Sequence, residues 1–215
     1  MLEIEVLVFA PHNDDEVLGV GGSIAKFSMK GHNVYICEVT GQQDCIERQE
    51  AEQAHHVLGV KDTIYLNFPV VDLHNVSRKE LNQSFHEIVQ RMKPQIAFIP
   101  HKGDMHRDHF ETAQAAMVAL RPIVNPWLKI IYQYETLSES EWNIPSVDNT
   151  FIPTAWNDIS EYYTQKVKAM HCYNSQLREF PHPRSLEAMQ ALAKLRGSTI
   201  GCQAAEAFSI IRQLM

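Results

Sequence analysis

IEVLVFAPHNDDEVLGVGG, residues 4–22, decides how this 215-residue chain is read. Val6 to Pro11 form a largely apolar run with Ile4 and Leu2 before it. Such a run reads as a strand buried on both faces, the kind that fills the middle of a parallel sheet. It breaks at once into His12, Asn13, Asp14, Asp15 and Glu16, and a helix-like pattern of Val17, Leu18, Gly21, Ile24, Ala25 and Phe27 follows. Ligands and catalytic groups in open α/β sheets gather at the carboxyl ends of such strands, so the chemistry is expected at this polar knot.

Outward from it, strands and helices alternate. A helix over 17–30 closes at Gly31, and His32 to Val39 form a second buried strand ended by Thr40 and Gly41. A charged amphipathic helix over 46–58 stops at Gly59; a short strand near 62–66, a helix over 78–92 and an apolar strand from Gln95 to Pro100 follow. This βαβ repetition predicts a Rossmann-like α/β fold, an open and mostly parallel sheet with helices on both faces and core order 3-2-1-4-5. Beyond residue 100 the pattern predicts a helix over 109–120, a strand over 128–134 and a long loop over 138–157. A helix over 158–175, begun by Asp158 and Glu161 in capping-box spacing, and another over 184–196, ended by Gly197, complete the helices. The chain closes on QAAEAFSIIRQ, which embeds Glu206 among small and apolar residues. No repeat or linker interrupts it, so residues 1–215 read as a single domain.

Composition narrows the function. At 45% hydrophobic residues the chain can bury a core without staples. A formal charge of −7 argues against non-specific nucleic-acid binding. Cys37, Cys45, Cys172 and Cys202 form no CxxC, as expected of reduced thiols in a cytoplasmic protein. No apolar run reaches the ~20 residues that span a bilayer, and Met1 leads directly into the first strand.

Three readings compete at the first knot. Gly19, Gly21 and Gly22, with Glu38 ending the second strand, imitate a dinucleotide fingerprint, but the turn where backbone would meet pyrophosphate holds three carboxylates. Acidic capping of the helix accounts for one or two carboxylates and not for His12. A metal site accounts for more. His12 and Asp15 can converge on one ion while Asp14 points elsewhere, and a second knot, HKGDMHRDH at 101–109, offers His101, Asp104, His106, Asp108 and His109. In a sheet of order 3-2-1-4-5 the first and fourth strands are neighbours, which sets the two knots side by side at the switch point. Two histidines and a carboxylate leave an open coordination position, the pattern of catalytic zinc.

PHNDDE followed by LGVGGSIAK resembles the A-H-P-D-D-E signature of the PIG-L or LmbE-like zinc-dependent N-acetylglucosaminyl deacetylases, and MHRDH resembles that family's H-P-D-H. RQEAEQAHHVLGV (48–60) and RGSTIGCQAAEAF (196–208) resemble its central helix and terminal segment. The resemblance implies His12, Asp15 and His109 as zinc ligands and Asp14 as general base. It implies His106 as the residue that protonates or stabilises the tetrahedral species, with Asp108 orienting and charging that histidine. Asn13 and Arg107 stand where the family has proline; neither removes a ligand.

The implied reaction releases acetate and a free amine from an N-acetylglucosamine-type glycoside, with Zn2+ and no organic cofactor. A metal-binding relative without turnover and a nucleotide-binding Rossmann-like protein are the alternatives. Arg48 and Arg107 are candidate substrate contacts, Arg107 for an anionic aglycone. Trp127, Trp142, Trp156 and Tyr162 are a sugar platform or core, and Glu206 is a structural or rim residue. The family implies a homo-oligomer, hexamers among the forms.

Overall fold

Seven strands make one sheet in the order β3-β2-β1-β4-β5-β7-β6, in a computed structural model that describes residues 3–214. Leu2 and the ends of the 1–215 domain lie outside the described residues. In chain order the elements are β1 (Glu5–Ala10), α1 (Asp15–Met29), β2 (Asn33–Thr40), α2 (Ile46–Leu58), β3 (Asp62–Phe68), α3 (Arg78–Met92), β4 (Ile96–Pro100), α4 (Arg107–Ala119), β5 (Ile130–Tyr134), β6 (Ala155–Asp158), α5 (Tyr163–Cys172), α6 (Leu186–Ile200) and β7 (Ala205–Gln213). β1 to β5 are parallel in the predicted order 3-2-1-4-5, and β7 runs antiparallel between β5 and β6.

Alternation along β1 explains the layers. Val6, Val8 and Ala10 face the core shared with α1, α2, α5 and α6, while Leu7 and Phe9 face the core shared with α3 and α4. Both sets are fully buried, which is why the run reads as continuously apolar. α2 and α3 take their predicted bounds because strong signals stop and start them: Gly59 caps α2 at φ 73°, and the Ser77 side chain accepts from Glu80 N at 3.2 Å.

Several boundaries differ from expectation, α1 among them, which begins at Asp15 rather than 17. α4 begins at Arg107 rather than 109, so Asp108 and His109 lie in its first turn. The loop expected over 138–157 contains most of β6, a four-residue edge strand. The Asp158 carboxylate accepts from Ser160 N and Ser160 Oγ, which makes a turn, and α5 starts only at Tyr163. α6 runs through Gly197 to Ile200, with Gly201 as its left-handed cap. Gly197 serves packing: a Cβ there would stand 2.7 Å from Cys202 O and 2.9 Å from Ala204 N.

The glycines of the first knot are also packing residues. They lie within α1, where a Cβ on Gly19 would strike the Tyr134 ring and one on Gly22 would strike Ile159. Glu38 is buried beside His55, out of reach of a ribose. The dinucleotide reading has no turn glycine and no exposed acid to rest on. No helix among the described residues is long and apolar enough to cross a membrane.

Candidate active site

The carboxyl ends of β1 and β4 adjoin at the point where strand order reverses, and the two polar knots meet there. His12, Asp15 and His109 each offer a ligand atom within 4.8 Å of the others. His109 Nε2 stands 3.1 Å and His12 Nδ1 3.2 Å from Asp15 Oδ2. Each imidazole has a carboxylate on its other nitrogen: His12 Nε2 lies 3.0 Å from Asp108 Oδ2, and His109 Nδ1 lies 2.8 Å from Asp104 Oδ2. That arrangement fixes ring orientation and tautomer and leaves His12 Nδ1 and His109 Nε2 aimed at Asp15.

The site calls for positive charge. Burial opposes charging of His12, yet the hydrogen bonds to Asp108 and Asp15 outweigh it and lift the imidazole to about 9. Burial likewise opposes charging of His109, and Asp15 and Asp104 overcome it, holding it well above its usual value. Asp15 remains a carboxylate because His109 and His12 outweigh its desolvation. Protons on two imidazoles thus balance the acids, a balance that a divalent cation achieves with both rings neutral. Asp15 Oδ1 is buried without a hydrogen-bond partner, and the one contact of His109 Nε2 is to Asp15 Oδ2. Two nitrogens and an oxygen, with both rings oriented from behind, fit zinc.

Asp14 occupies the N-cap of α1, but its side chain makes no capping bond, so helix capping does not explain it. Its backbone sits at φ 123°, ψ −26°, a conformation costing on the order of 1–3 kcal/mol for a non-glycine residue. Burial, then the neighbouring Asp15, raises its carboxyl to about 8, and Arg184 opposes the rise from 3.3 Å. Arg184 arrives from the segment before α6. It donates through Nε to Ser138 Oγ at 2.8 Å and through Nη1 to Gln176 Oε1 at 3.0 Å, and it lies 3.6 Å from Glu139.

A cavity of about 410 Å³ opens on this corner, lined by His12, Asp14, Glu47, His106, Gln176 and Arg184 among others. His106 and Asp108 are both at the corner, in a different relation from the one expected. The Asp108 carboxylate accepts from Val71 N at 2.7 Å and serves His12; it lies 3.8 Å from His106 Nδ1. His106 Nδ1 instead accepts from Asp108 N at 3.1 Å, so a neutral ring carries its proton on Nε2. Burial, then the charge of His12, lowers His106 to about 4, which favours that neutral ring.

Neither predicted substrate contact lines the cavity. Arg107, 65% exposed, pairs with Glu111 along α4 at 3.1 Å. Arg48 lies over the Tyr65 ring at 3.8 Å and bonds Asn67. His101 bonds Asn149 O away from the cluster. Among the aromatics, Trp142 stacks edge-on with His182 beside Arg184, Trp127 and Tyr162 pack against the cores, and Trp156 lies in β6. Sequence reasoning missed Arg184, whose only signal is an arginine in the proline-stiffened PHPRS at 181–185, and Asp104 as the partner of His109.

The family model described as GlcNAc-PI de-N-acetylase (PIG-L) matches residues 7–120. The chain is 30% identical to the uncharacterized deacetylase YaiS of Escherichia coli K12, over 79% of this chain and 90% of that protein. It superposes on the conserved protein TT1542 of Thermus thermophilus with a TM-score of 0.79 and 26% identity, covering 99% of this chain and 96% of that one. For the N,N'-diacetylchitobiose deacetylase of Pyrococcus horikoshii the TM-score is 0.76 at 26% identity, covering 96% and 83%.

Proposed function

The chain belongs to the PIG-L family of de-N-acetylases, and from that premise we propose that it is a zinc-dependent hydrolase that removes the acetyl group from an N-acetylglucosamine-type glycoside. The observation that carries this reading is the convergence of His12, Asp15 and His109 beside a fourth, separately held group, the Asp14 carboxylate, at a cavity that His12 and Asp14 line. A site that only stored metal would have no use for Asp14.

His12, Asp15 and His109 would hold the ion, with Asp108 and Asp104 orienting the two rings. Zinc there supplies Lewis acidity, which makes water a nucleophile at neutral pH and draws charge from the acyl carbonyl. Asp14 accepts a proton from the attacking water and returns it to the leaving nitrogen, so the net reaction adds water across the C–N bond. Arg184 keeps Asp14 ionised often enough to act. His106 donates from Nε2 to the oxygen that gains charge, as a neutral donor whose other nitrogen is tied to the Asp108 peptide.

The aglycone is uncharged rather than anionic in this reading. Arg107 points along α4, the cavity-lining Arg184 is matched by Asp14 and Glu139, and Glu47 adds a carboxylate. The same reading has the protein act in the cytoplasm, a compartment that suits four unpaired cysteines. It also has the protein act as a homo-oligomer, hexamers included, for which Ile144, Val147 and Ile152, exposed before β6, supply apolar surface.

Amine release from a neutral and an anionic N-acetylglucosaminide by zinc-loaded protein tests the proposal. Release is expected from the neutral glycoside, and Arg107→Ala should leave the ratio of the two unchanged. Zinc-loaded protein that hydrolyses no N-acetyl amino sugar would overturn the substrate; full activity in strong chelator would overturn the metal.

A further inference from the structure

Behind the candidate base lies a buried group of side chains that the reaction does not touch. The Asp14 N–H donates to Glu16 Oε2 at 3.1 Å, while Asp14 O receives Val17 N and Leu18 N at 3.1 and 2.9 Å as α1 begins. The other oxygen of Glu16 accepts from Tyr173 Oη at 2.6 Å and stands 3.2 Å from His55 Nε2. His55 Nδ1 is 2.9 Å from Thr63 Oγ1, and Glu38 Oε1 is 3.4 Å from His55 Nε2. Glu16, Glu38, His55 and Tyr173 are all buried.

Glu16 is thus held on one side from α2 and from the end of α5, and its free oxygen reaches back to a single peptide, that of Asp14. That peptide lies in the left-handed half of backbone space at φ 123°, where an aspartate does not stay without a restraint. Rotation about it swings the Asp14 side chain, and a displacement of about 1 Å at a reacting group can cost ~10²-fold in rate.

We infer that Glu16, clamped by Tyr173 and His55, is a positioning residue: by holding the Asp14 peptide in its left-handed conformation it aims the Asp14 carboxylate into the cavity. This rests on Asp14 being the general base, and the restraint itself can be read without activity.

The test uses zinc-loaded Glu16→Ala, Glu16→Gln and Tyr173→Phe, measuring kcat, KM and zinc content, with crystal structures to read the Asp14 φ. Glu16→Ala should lower kcat by about 10- to 100-fold with KM and zinc unchanged and with Asp14 relaxed out of the left-handed region. Glu16→Gln, whose amide oxygen can still accept from the Asp14 N–H, should retain most of the rate. Tyr173→Phe should lose several-fold in kcat alone, and it answers the question should Glu16→Ala fail to fold. Wild-type kcat in Tyr173→Phe, an unshifted φ in Glu16→Ala, or losses that follow zinc content overturns the inference. Wild-type protein inactive on every N-acetyl amino sugar overturns the functional reading instead, and the Asp14 φ then still decides whether Glu16 is the restraint.

Discussion

Two of the buried ionic clusters on α1, the one around the cavity at its start and the one at its middle, are built to different rules. At the middle, Glu206 accepts from Gly22 N and Ser23 N at 2.8 Å each and from Lys166 Nζ at 2.6 Å, while Lys166 also donates to Leu18 O at 2.8 Å. Gly22 N and Leu18 O are groups that a regular helix joins to each other; here each has a side-chain partner as well placed. At the start, Asp15 Oδ1 is buried with no hydrogen-bond partner, while Asp14 Oδ2 and His109 Nε2 meet only a charged neighbour each, Arg184 at 3.3 Å and Asp15 at 3.1 Å. One cluster is closed by the chain's own groups, and the other keeps a carboxylate oxygen unbonded beside a cavity. Burial and charge alone do not mark a functional site; unmet bonding capacity beside a cavity does.

The sharpest break between the clusters is expected from Asp14→Asn. It keeps shape and metal but removes the proton acceptor, so kcat should fall by about 10²- to 10⁴-fold with zinc content unchanged. Asp15→Asn should lose zinc, and equal zinc loss in both variants would mean that their roles are exchanged. Lys166→Met tests the other cluster. Leaving Glu206 buried and unpaired should cost roughly 3–5 kcal/mol of stability in denaturant unfolding while kcat of the folded protein holds. A kcat loss without a stability loss would erase the distinction drawn here.

A smaller effect should follow Asp104→Asn, which removes the carboxylate behind His109 without touching a ligand. Zinc affinity measured by competition with a chelator should drop about 10- to 100-fold. An unchanged affinity would say that the His109 ring is held by packing alone.

The smallest effect is a pH slope. His55 is desolvated, but Glu16 and Glu38 raise it from 6.5 to about 9. The folded protein therefore binds more protons than the unfolded chain across that interval, and the His55 contribution is complete below pH 6.5 and lost as pH rises through 9. Burial also raises Glu38 well above its usual value, which acts in the same direction. Unfolding free energy measured between pH 6.5 and 9 should fall with pH, and His55→Gln should lessen the fall by the share that His55 carries beside His12, His109 and Asp14; an equal slope would place the linked proton elsewhere.

The strand order was legible because β1, β2 and β4 are apolar on both faces and each is followed by a helix with its own punctuation. His12, Asp15 and His109 were legible because adjacent strands deliver them from short, dense motifs. Other features depend on contacts that no local pattern carries. Gly197 looked like a helix end, yet it lies inside α6 because the chain entering β7 crosses there. Asp108 looked like the partner of His106, its neighbour in sequence, whereas its carboxylate bonds His12 across 96 positions. Arg184 reaches Asp14 from far along the chain, so nothing near the first knot announces it.

β7 joins β5 and β6 in antiparallel register, although it comes last of the strands in chain order. A ribosome that has released residues up to Tyr134 has made all five parallel strands, while the edge of β5 still waits for a partner that has not been synthesised. Until Phe208 and its neighbours emerge, that edge can pair with another nascent chain. Between the synthesis of β5 and that of β7 the β5 edge is therefore an open pairing site, one that the finished fold removes.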